Sequence, residues 1–300
     1  MTLPDNFENW LYTPTEQPKE KKIKLKHLKR PIWTENKAKF IQRYLYYFVL
    51  VTKHGAYIDA FAGPQRITKL DAWAAKLVLE GQPKAFYLRH YYLMELDKSK
   101  IPLLEALKDE HSSPSAKRRL KIDVRQGDCN VLIPELLAKR PISDREATFC
   151  LLDQRTFECH WKTLQTLASY KTSGNKIELF YFLPNSWLPR AVSRMKNMER
   201  VREWWGRDDY DGFLRSTQAK RCERVCDRFR QELGYAHVTP FPIYERARGQ
   251  RVMYYMIHAT DHEAAPKLMT LAYNTAVSPP ETTDEQLLLG LKEAGILSGT

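Results

Sequence analysis

The sequence has few cysteines and no long apolar run. Its 300 residues include five cysteines, an odd number without a paired spacing. This argues against a disulfide-built secreted domain and favours a reducing compartment. No apolar stretch approaches the roughly 20 residues that cross a bilayer, and the acidic, proline-containing start lacks the order of a signal peptide. We therefore expect a cytoplasmic protein without disulfides or membrane contact.

Several ligand-binding motifs are also missing. There is no P-loop, and the loop Asp59 to Pro64 lacks the second and third glycines of a dinucleotide site. Cys222 and Cys226 lie about one helical turn apart without two further ligands at zinc spacing. We interpret both thiols as packing residues and predict no metal site. Cys150 and His258 lie within β-prone segments and are interpreted as core residues too. A nuclease is disfavoured as well, because no compact Asp/Glu/Lys constellation is visible.

Positive charge is in excess. The chain has 48 Lys and Arg against 36 Asp and Glu, a net charge of +12, which favours a polyanionic partner and nucleic acid first. Residues 19–30 hold seven of the cations around one acid. Lys24 and Lys26 are candidate phosphate contacts within a basic N-terminal extension, residues 1–33. The alternative is a solvated arm.

A domain over residues 34–300 follows this extension. Thr34 is a candidate N-cap for a helix whose Phe40, Tyr44, Tyr47 and Phe48 have three- and four-residue spacing, which indicates a core-facing stripe. Helical patterns also cover residues 71–80, 98–110 and 131–139. The predicted strands are Ala56–Phe61, Phe86–Glu95, Leu120–Arg125, Ala147–Asp153, Lys176–Leu183, His237–Tyr244 and Arg251–Thr260.

Alternating strands and helices predict parallel βαβ units, and the last two strands read as an antiparallel hairpin. Pro189–Gly234, rich in Arg and Trp with helical periodicity, predicts an inserted helical cap. The expected fold class is α/β: a Rossmann-like class I methyltransferase fold with a mostly parallel seven-stranded sheet. Flavodoxin-like and dinucleotide-binding folds share the first half of this layout.

Four of the predicted strands have an acidic residue at their carboxyl end: Asp59, Glu95, Asp128 just past the third strand, and Asp153. Ligands of open α/β sheets bind beyond the carboxyl ends of the strands. Such a set suits S-adenosylmethionine (SAM): Asp59 for its amino acid part, Glu95 for both ribose hydroxyls and Asp128 for the adenine amine. Gly63 would let the backbone approach the ligand. Each acid alone is more often a helix N-cap.

Five segments resemble the three-Cys-motif partner (TcmP) family of bacterial and phage-associated proteins. They are Tyr57–Pro64, Met94–Asp97, Gln126–Asp128, Phe149–Asp153 with His160-Trp161, and Tyr254–His262. The resemblance implies a SAM-dependent methyltransferase-like protein whose partner is a radical-SAM-like protein with a three-cysteine cluster. It adds Phe61, Pro64 and Asp97 to the SAM-binding candidates.

The fourth motif departs from the family. Where the family has Asp-Pro-Phe-Gly, this chain has Asp153-Gln154-Arg155-Thr156. In amino-group methyltransferases the Asp accepts hydrogen bonds from the target nitrogen and an aromatic ring stacks on the flipped base. Asp153 keeps the acceptor, Phe157 or Trp161 would supply the ring, and Arg155 would face phosphate. His160 is considered as a general base, with a structural histidine as the alternative.

Within the insertion, Arg194 and Arg207 are further candidate nucleic-acid contacts. Trp204 and Trp205 either stack on bases or anchor a helix to the sheet. Two classes of function remain: a SAM-dependent methyltransferase acting on nucleic acid, and a catalytically inactive scaffold that supports a radical-SAM partner or recognises nucleic acid in phage defence.

Overall fold

The strands of the chain form one mixed sheet, and helices cover both of its faces. The computed structural model describes residues 36–67, 70–81, 85–112, 120–244 and 252–276. Its strands are β1 (Gly55–Asp59), β2 (Leu88–Glu95), β3 (Lys121–Gln126), β4 (Thr148–Leu152), β5 (Glu178–Leu183), β6 (His237–Tyr244) and β7 (Val252–Thr260). Its helices are α1 (Lys37–Thr52), α2 (Ala74–Glu80), α3 (Ile101–Ser112), α4 (Cys129–Ala138), α5 (Trp161–Ser169), α6 (Leu188–Val192), α7 (Glu199–Trp205), α8 (Tyr210–Leu214), α9 (Gln218–Gln231) and α10 (Ala265–Thr275).

The sheet is open and mostly parallel. Its strand order is β3-β2-β1-β4-β5-β7-β6. The first five strands pair in parallel, whereas β7 runs antiparallel to both β5 and β6. The predicted α/β class, mostly parallel seven-stranded sheet and terminal hairpin are confirmed. Strand order reverses between β1 and β4, and such a switch point opens a crevice at the carboxyl ends of the strands.

Side chains alternate between two cores, one on each face of the sheet. Tyr57 and Phe149 pack on the face that α1 covers, while Ile58 and Cys150 pack on the opposite face. Every residue of β1, β4 and β5 is buried. This explains their continuous apolar runs, because parallel strands covered on both faces have no solvent side.

The aromatic stripe of α1 is buried, as predicted. Phe40, Tyr44, Tyr47 and Phe48 all lie in the core. The helix begins at Lys37, and Asn36 at the N-cap position makes no side-chain capping bond. The predicted cap Thr34 lies outside the described residues.

A buried carboxylate connects α1 to two strands. Glu178 accepts hydrogen bonds from the Tyr44 hydroxyl, from His258 Nε2 at 2.8 Å and from the Thr260 hydroxyl at 2.8 Å. These donors offset the cost of burying the charge. His258, predicted as a core residue, is buried.

Other packing predictions are also confirmed. Cys150, Cys222 and Cys226 are buried free thiols. Trp204 and Trp205 are 2% and 1% exposed, so the alternative of a base-stacking platform is wrong for this pair. Both rings pack on Phe213.

Some predictions fall on residues that the structure leaves undescribed. They include the basic extension with Lys24 and Lys26, the chain after residue 276 and the link at residues 245–250. Within the described ranges, no helix combines the length and apolar character that a membrane crossing requires.

Candidate functional site

A cavity of about 480 Å³ lies at the carboxyl ends of β1 to β4. Most predicted site residues meet there. Those that line it are Phe61, Gly63, Glu95, Asp97, Asp128, Asp153, Arg155 and Phe157. Predicted residues absent from its lining are Asp59, Pro64, Trp161, Arg194 and Arg207.

Glu95 and Gly63 form one wall of the cavity. The Gly63 amide donates to Glu95 Oε2 at 2.9 Å, and the Asp97 amide donates to Oε1 at 2.9 Å. A Cβ atom added to Gly63 would lie 2.3 Å from Glu95 Oε2 and 2.5 Å from Lys100 Cδ. Glycine therefore allows the loop after β1 to approach the carboxylate that ends β2.

Asp97 and Lys100 adjoin this wall. Asp97 accepts hydrogen bonds from the Ser99 hydroxyl at 2.6 Å and the Ser99 amide at 3.0 Å, and these bonds lower the pKa of its carboxyl. Lys100 Nζ lies 3.8 Å from Glu95 and 3.9 Å from Asp97. The lysine reduces the negative charge on this side of the cavity.

Asp128 follows β3 and has two roles. Its carboxylate caps α4 by accepting from the Asn130 amide at 2.8 Å, so the predicted capping alternative is observed, and it also lines the cavity. Gly127 before it has φ +151°, a conformation that favours glycine. Asn130 connects Asp128 to the segment before α5, because its side chain donates to the Glu158 carbonyl and accepts from the His160 amide.

Asp59 lies behind the cavity wall. It is 1% exposed, and its carboxylate accepts from the Tyr57 hydroxyl at 2.8 Å and the Phe61 amide at 3.1 Å. Burial raises the pKa of Asp59 to about 7. These internal bonds hold the loop after β1, while direct contact between Asp59 and a ligand stays a prediction.

Asp153 at the end of β4 forms a nearly buried ion pair. Lys37 Nζ lies 2.7 Å from Oδ1 and 2.6 Å from Oδ2, and Gln65 Nε2 lies 3.3 Å from Oδ2. The two charged side chains are 6% and 10% exposed. Burial lowers the pKa of Lys37, but the attraction and hydrogen bond of Asp153, together with the attraction of Tyr254 and Asp59, outweigh it, and the net pKa is raised.

The turn after Asp153 is held by the residue that replaces the family's proline. Gln154 is buried. Its amide nitrogen donates to the Phe182 carbonyl at 3.0 Å, and its amide oxygen accepts from the Glu158 and Cys159 amides at 3.1 and 3.0 Å. A glutamine side chain thus organises this turn, and it turns inward rather than toward the cavity.

The two predicted stacking rings lie in different places. Phe157 lines the cavity but is only 3% exposed and packs edge-on against Trp204, with ring centroids 5.1 Å apart. Trp161 is buried beneath the Arg228 guanidinium, 3.6 Å from its ring centroid. Trp161 therefore offers no open ring face to a substrate base, contrary to the prediction.

The helical segment between β5 and β6 supplies another wall. Arg200 and Glu203 line the cavity, and Glu203 lies 3.4 Å from His160 Nε2. His160, considered as a general base on sequence grounds, thus lies at the rim beside an acid.

Exposed cations occur in the cavity lining and elsewhere on the insertion between β5 and β6. Arg155 is exposed and lines the cavity. The insertion cations, which we define as Arg190, Arg194, Lys196 and Arg200, are all exposed and form no ion pair among the described residues. Arg207, by contrast, pairs with Glu232 at 3.0 Å.

Sequence reasoning missed Lys37 and Gln154. Lys37 lies three and four residues before Phe40 and Ile41, on the buried stripe of α1. A lysine in such a stripe indicates a buried partner, and this signal could have identified it. Gln154 had no comparable signal, because its bonds depend on how the turn folds.

No protein-family model matches this chain, and a search of curated proteins finds no match. The class of protein is thus described by its fold and cavity alone. It is an α/β protein with an open, mostly parallel sheet and a polar cavity at the switch point of the sheet.

Proposed function

We propose that this protein is a SAM-dependent methyltransferase that acts on nucleic acid. The observation that carries the proposal is that one cavity joins the carboxylates following three strands, Glu95, Asp128 and Asp153, to the glycine turn at Gly63. Five alternating strands followed by an antiparallel hairpin, the layout of class I methyltransferases, support it.

The cavity fits the cofactor in size and in chemistry. Its volume of about 480 Å³ is in the range of small-molecule sites, about 300 to 1,000 Å³. Glu95 retains lone pairs for ribose hydroxyls beyond the two amide bonds it accepts. Gly63 lies so close to Glu95 that a side chain at position 63 would collide with the carboxylate. The loop after β1 therefore presents only its backbone to a ligand at this point.

In this role the bound cofactor would supply an electrophilic methyl group. Glu95 would orient the ribose, Asp128 would accept from the adenine amine, and Asp153 would bind the acceptor. Catalysis would come from positioning the acceptor in line with the methyl group and from excluding water.

Nucleic acid as the substrate is supported by charge. The net charge is +12. Arg155 and Arg200 are exposed and line the cavity, and the other three insertion cations are exposed on the same insertion as Arg200. Cations that are not neutralised by a neighbouring acid are available to phosphates.

One observation favours the scaffold alternative. Lys37 already binds both oxygens of Asp153. The ion pair holds Asp153 in place without any substrate, so a protein that does not transfer methyl groups would keep the same geometry. The protein would then retain the cofactor cavity and serve a radical-SAM partner or bind nucleic acid.

Methyl transfer separates the two functions. The full chain would be incubated with methyl-tritiated SAM and with total RNA, DNA and protein from a host lacking the gene. We expect label in nucleic acid with the wild type and with the control Gly212→Ala, whose new Cβ would only come within 3.8 Å of Arg224. Gly63→Ala and Asp153→Asn should abolish it. A wild type that binds SAM but labels nothing would favour the scaffold, and label in protein alone would refute the nucleic-acid substrate.

A further inference from the structure

We propose that the methyl acceptor is a ribose 2′-hydroxyl of RNA, and that Lys37 is the positioning residue behind this preference. The inference rests on the proposed function and adds its substrate class. It starts from the groups around Asp153 rather than from the cofactor side of the cavity.

Hydrogen-bond donors dominate the surroundings of Asp153. Lys37 donates to both of its oxygens and Gln65 approaches the second. A carboxylate has about four acceptor sites, so few remain free. A hydroxyl needs only one acceptor for its single hydrogen, and its oxygen can accept from a donor.

An exocyclic base amine fits this surrounding poorly. It brings two hydrogens and would need a second acceptor beside Asp153. In amino-group methyltransferases a proline-shaped turn presents carbonyls there, but here Gln154 takes the proline position with its side chain bonded inside the protein. The Arg155 carbonyl already accepts from Trp187 Nε1 at 3.2 Å.

Neither of the two predicted stacking rings offers an open face to a flipped base. Phe157 is covered by Trp204 and Trp161 by Arg228. Phe61, the other aromatic residue in the cavity lining, follows β1. Ribose methylation needs no base in the cavity, because the 2′-hydroxyl lies on the sugar beside the phosphates.

A substrate that is a polyanion and carries a hydroxyl group as the methyl acceptor is RNA rather than DNA. Internal nucleotides of DNA have no hydroxyl, whereas every internal ribose has one that both donates and accepts. The insertion cations and Arg155 would hold the flanking phosphates.

The chemical step balances within these groups. The hydroxyl O–H bond breaks and its proton passes to the Asp153 carboxylate, while the oxygen forms the new bond to the methyl carbon. The bound cofactor would supply the methyl group: its C–S bond would break with the electron pair left on sulfur, which would become a neutral thioether. Lys37 keeps its proton throughout and holds the carboxylate in the orientation that receives the hydroxyl hydrogen.

The position of the label tests the acceptor. RNA labelled by the wild type would be hydrolysed with alkali, which cannot cut beside a 2′-O-methyl group. We expect tritium in alkali-stable dinucleotides and none in DNA. Tritium in mononucleotides bearing a methylated base would overturn the inference and leave the proposed function standing. Absence of label from every pool would refute the proposed function, and the inference with it.

Variants of Lys37 test its role. We expect Lys37→Met to lower kcat at least a hundredfold with SAM affinity within a few fold, and Lys37→Arg to recover part of the rate. Lys39→Met, an exposed lysine of the same helix, is the matched control and should be fully active. Full activity in a folded Lys37→Met protein would refute the positioning role. The acceptor assay needs no variant, so the substrate class can be tested even if Lys37→Met does not fold.

Discussion

Lys37 and Asp153, 116 positions apart in the chain, form an ion pair with nitrogen–oxygen distances of 2.6 and 2.7 Å. It connects the start of α1 to the residue that follows β4, the strand beside β1 at the switch point. The Lys37 ammonium also lies 5.6 Å from the Phe182 ring centroid and 5.7 Å from that of Tyr254. One contact therefore joins the packing of α1 to the wall of the cavity.

The energetic coupling of this pair can be measured. Removing one partner leaves a buried charge without compensation, so Lys37→Met and Asp153→Asn should each lower the free energy of unfolding by about 3 to 5 kcal/mol. The double variant should cost less than the sum, by about 1 to 3 kcal/mol. Urea unfolding of the four proteins gives these values.

The partly exposed pair Lys76–Glu80 is the control for this cycle. Its side chains are 35% and 28% exposed, and such pairs contribute about 0 to 1 kcal/mol. Additive costs at Lys37 and Asp153 would show that the two charges do not interact in solution.

Gly63→Ala should disturb the cofactor wall. The new Cβ would lie 2.3 Å from Glu95 Oε2, so Glu95, anchored by two amides, must move or the loop must shift. We expect SAM affinity to fall at least tenfold and stability by about 1 to 3 kcal/mol. Calorimetry and urea unfolding measure the two effects. Unchanged affinity would remove Glu95 from the site, and Gly212→Ala should affect neither quantity.

The fold was largely predictable because its signals are local. A continuous apolar run indicated β4, and a β-prone segment indicated β6 with the observed bounds His237–Tyr244. The strand-end acids were predictable for the same reason, because the carboxyl ends of parallel strands meet at one edge of a sheet.

The orientation of site side chains was not predictable. Asp59 ends its strand as expected, but its carboxylate bonds Tyr57 and the Phe61 amide instead of lining the cavity. The sequence does not distinguish Phe157 from Trp161 as a stacking ring, whereas in the structure Arg228 covers the tryptophan. The cover over Trp161 comes from a distant segment, and the bonds of Asp59 to its near neighbours depend on the orientation of its side chain; local sequence patterns encode neither.

Asp59 should make stability depend on pH. Burial raises its pKa from an ordinary 3.8 to about 7 in the folded protein. The folded state thus binds this proton more tightly, and the stabilisation is fully present below about pH 4 and lost as pH rises through 7. Asp59→Asn has no such proton.

The stability of Asp59→Asn relative to the wild type should therefore increase with pH. The pKa of Asp59 differs by about three units between the unfolded and folded states, so the difference in unfolding free energy between the two proteins should rise by about 4 kcal/mol from pH 4 to pH 8. Urea unfolding of both proteins at each pH gives the difference, and other groups cancel in it. A difference that stays constant over this range would contradict the raised pKa.

RNA binding should depend strongly on salt through the insertion cations. Changing all four to Gln should lower the slope of log affinity against log salt by up to about 3, since each single-strand contact contributes about 0.7. Fluorescence anisotropy over a salt series measures the slope. The matched control changes four ion-paired cations outside the insertion: Lys76, Lys108, Arg125 and Arg140. Equal slopes for the two variants would assign phosphate binding to another surface.

Titration calorimetry with SAM and with its demethylated product tests the central claim most directly. The account predicts one saturable site per chain for both ligands. Glu95→Gln should weaken binding about ten- to a hundredfold, the equivalent of about 1.5 to 3 kcal/mol for a lost charged hydrogen bond, while the exposed control Glu105→Gln should bind like the wild type. A folded wild type that gives neither heat nor a thermal shift at millimolar ligand would contradict the assignment of this cavity to the cofactor.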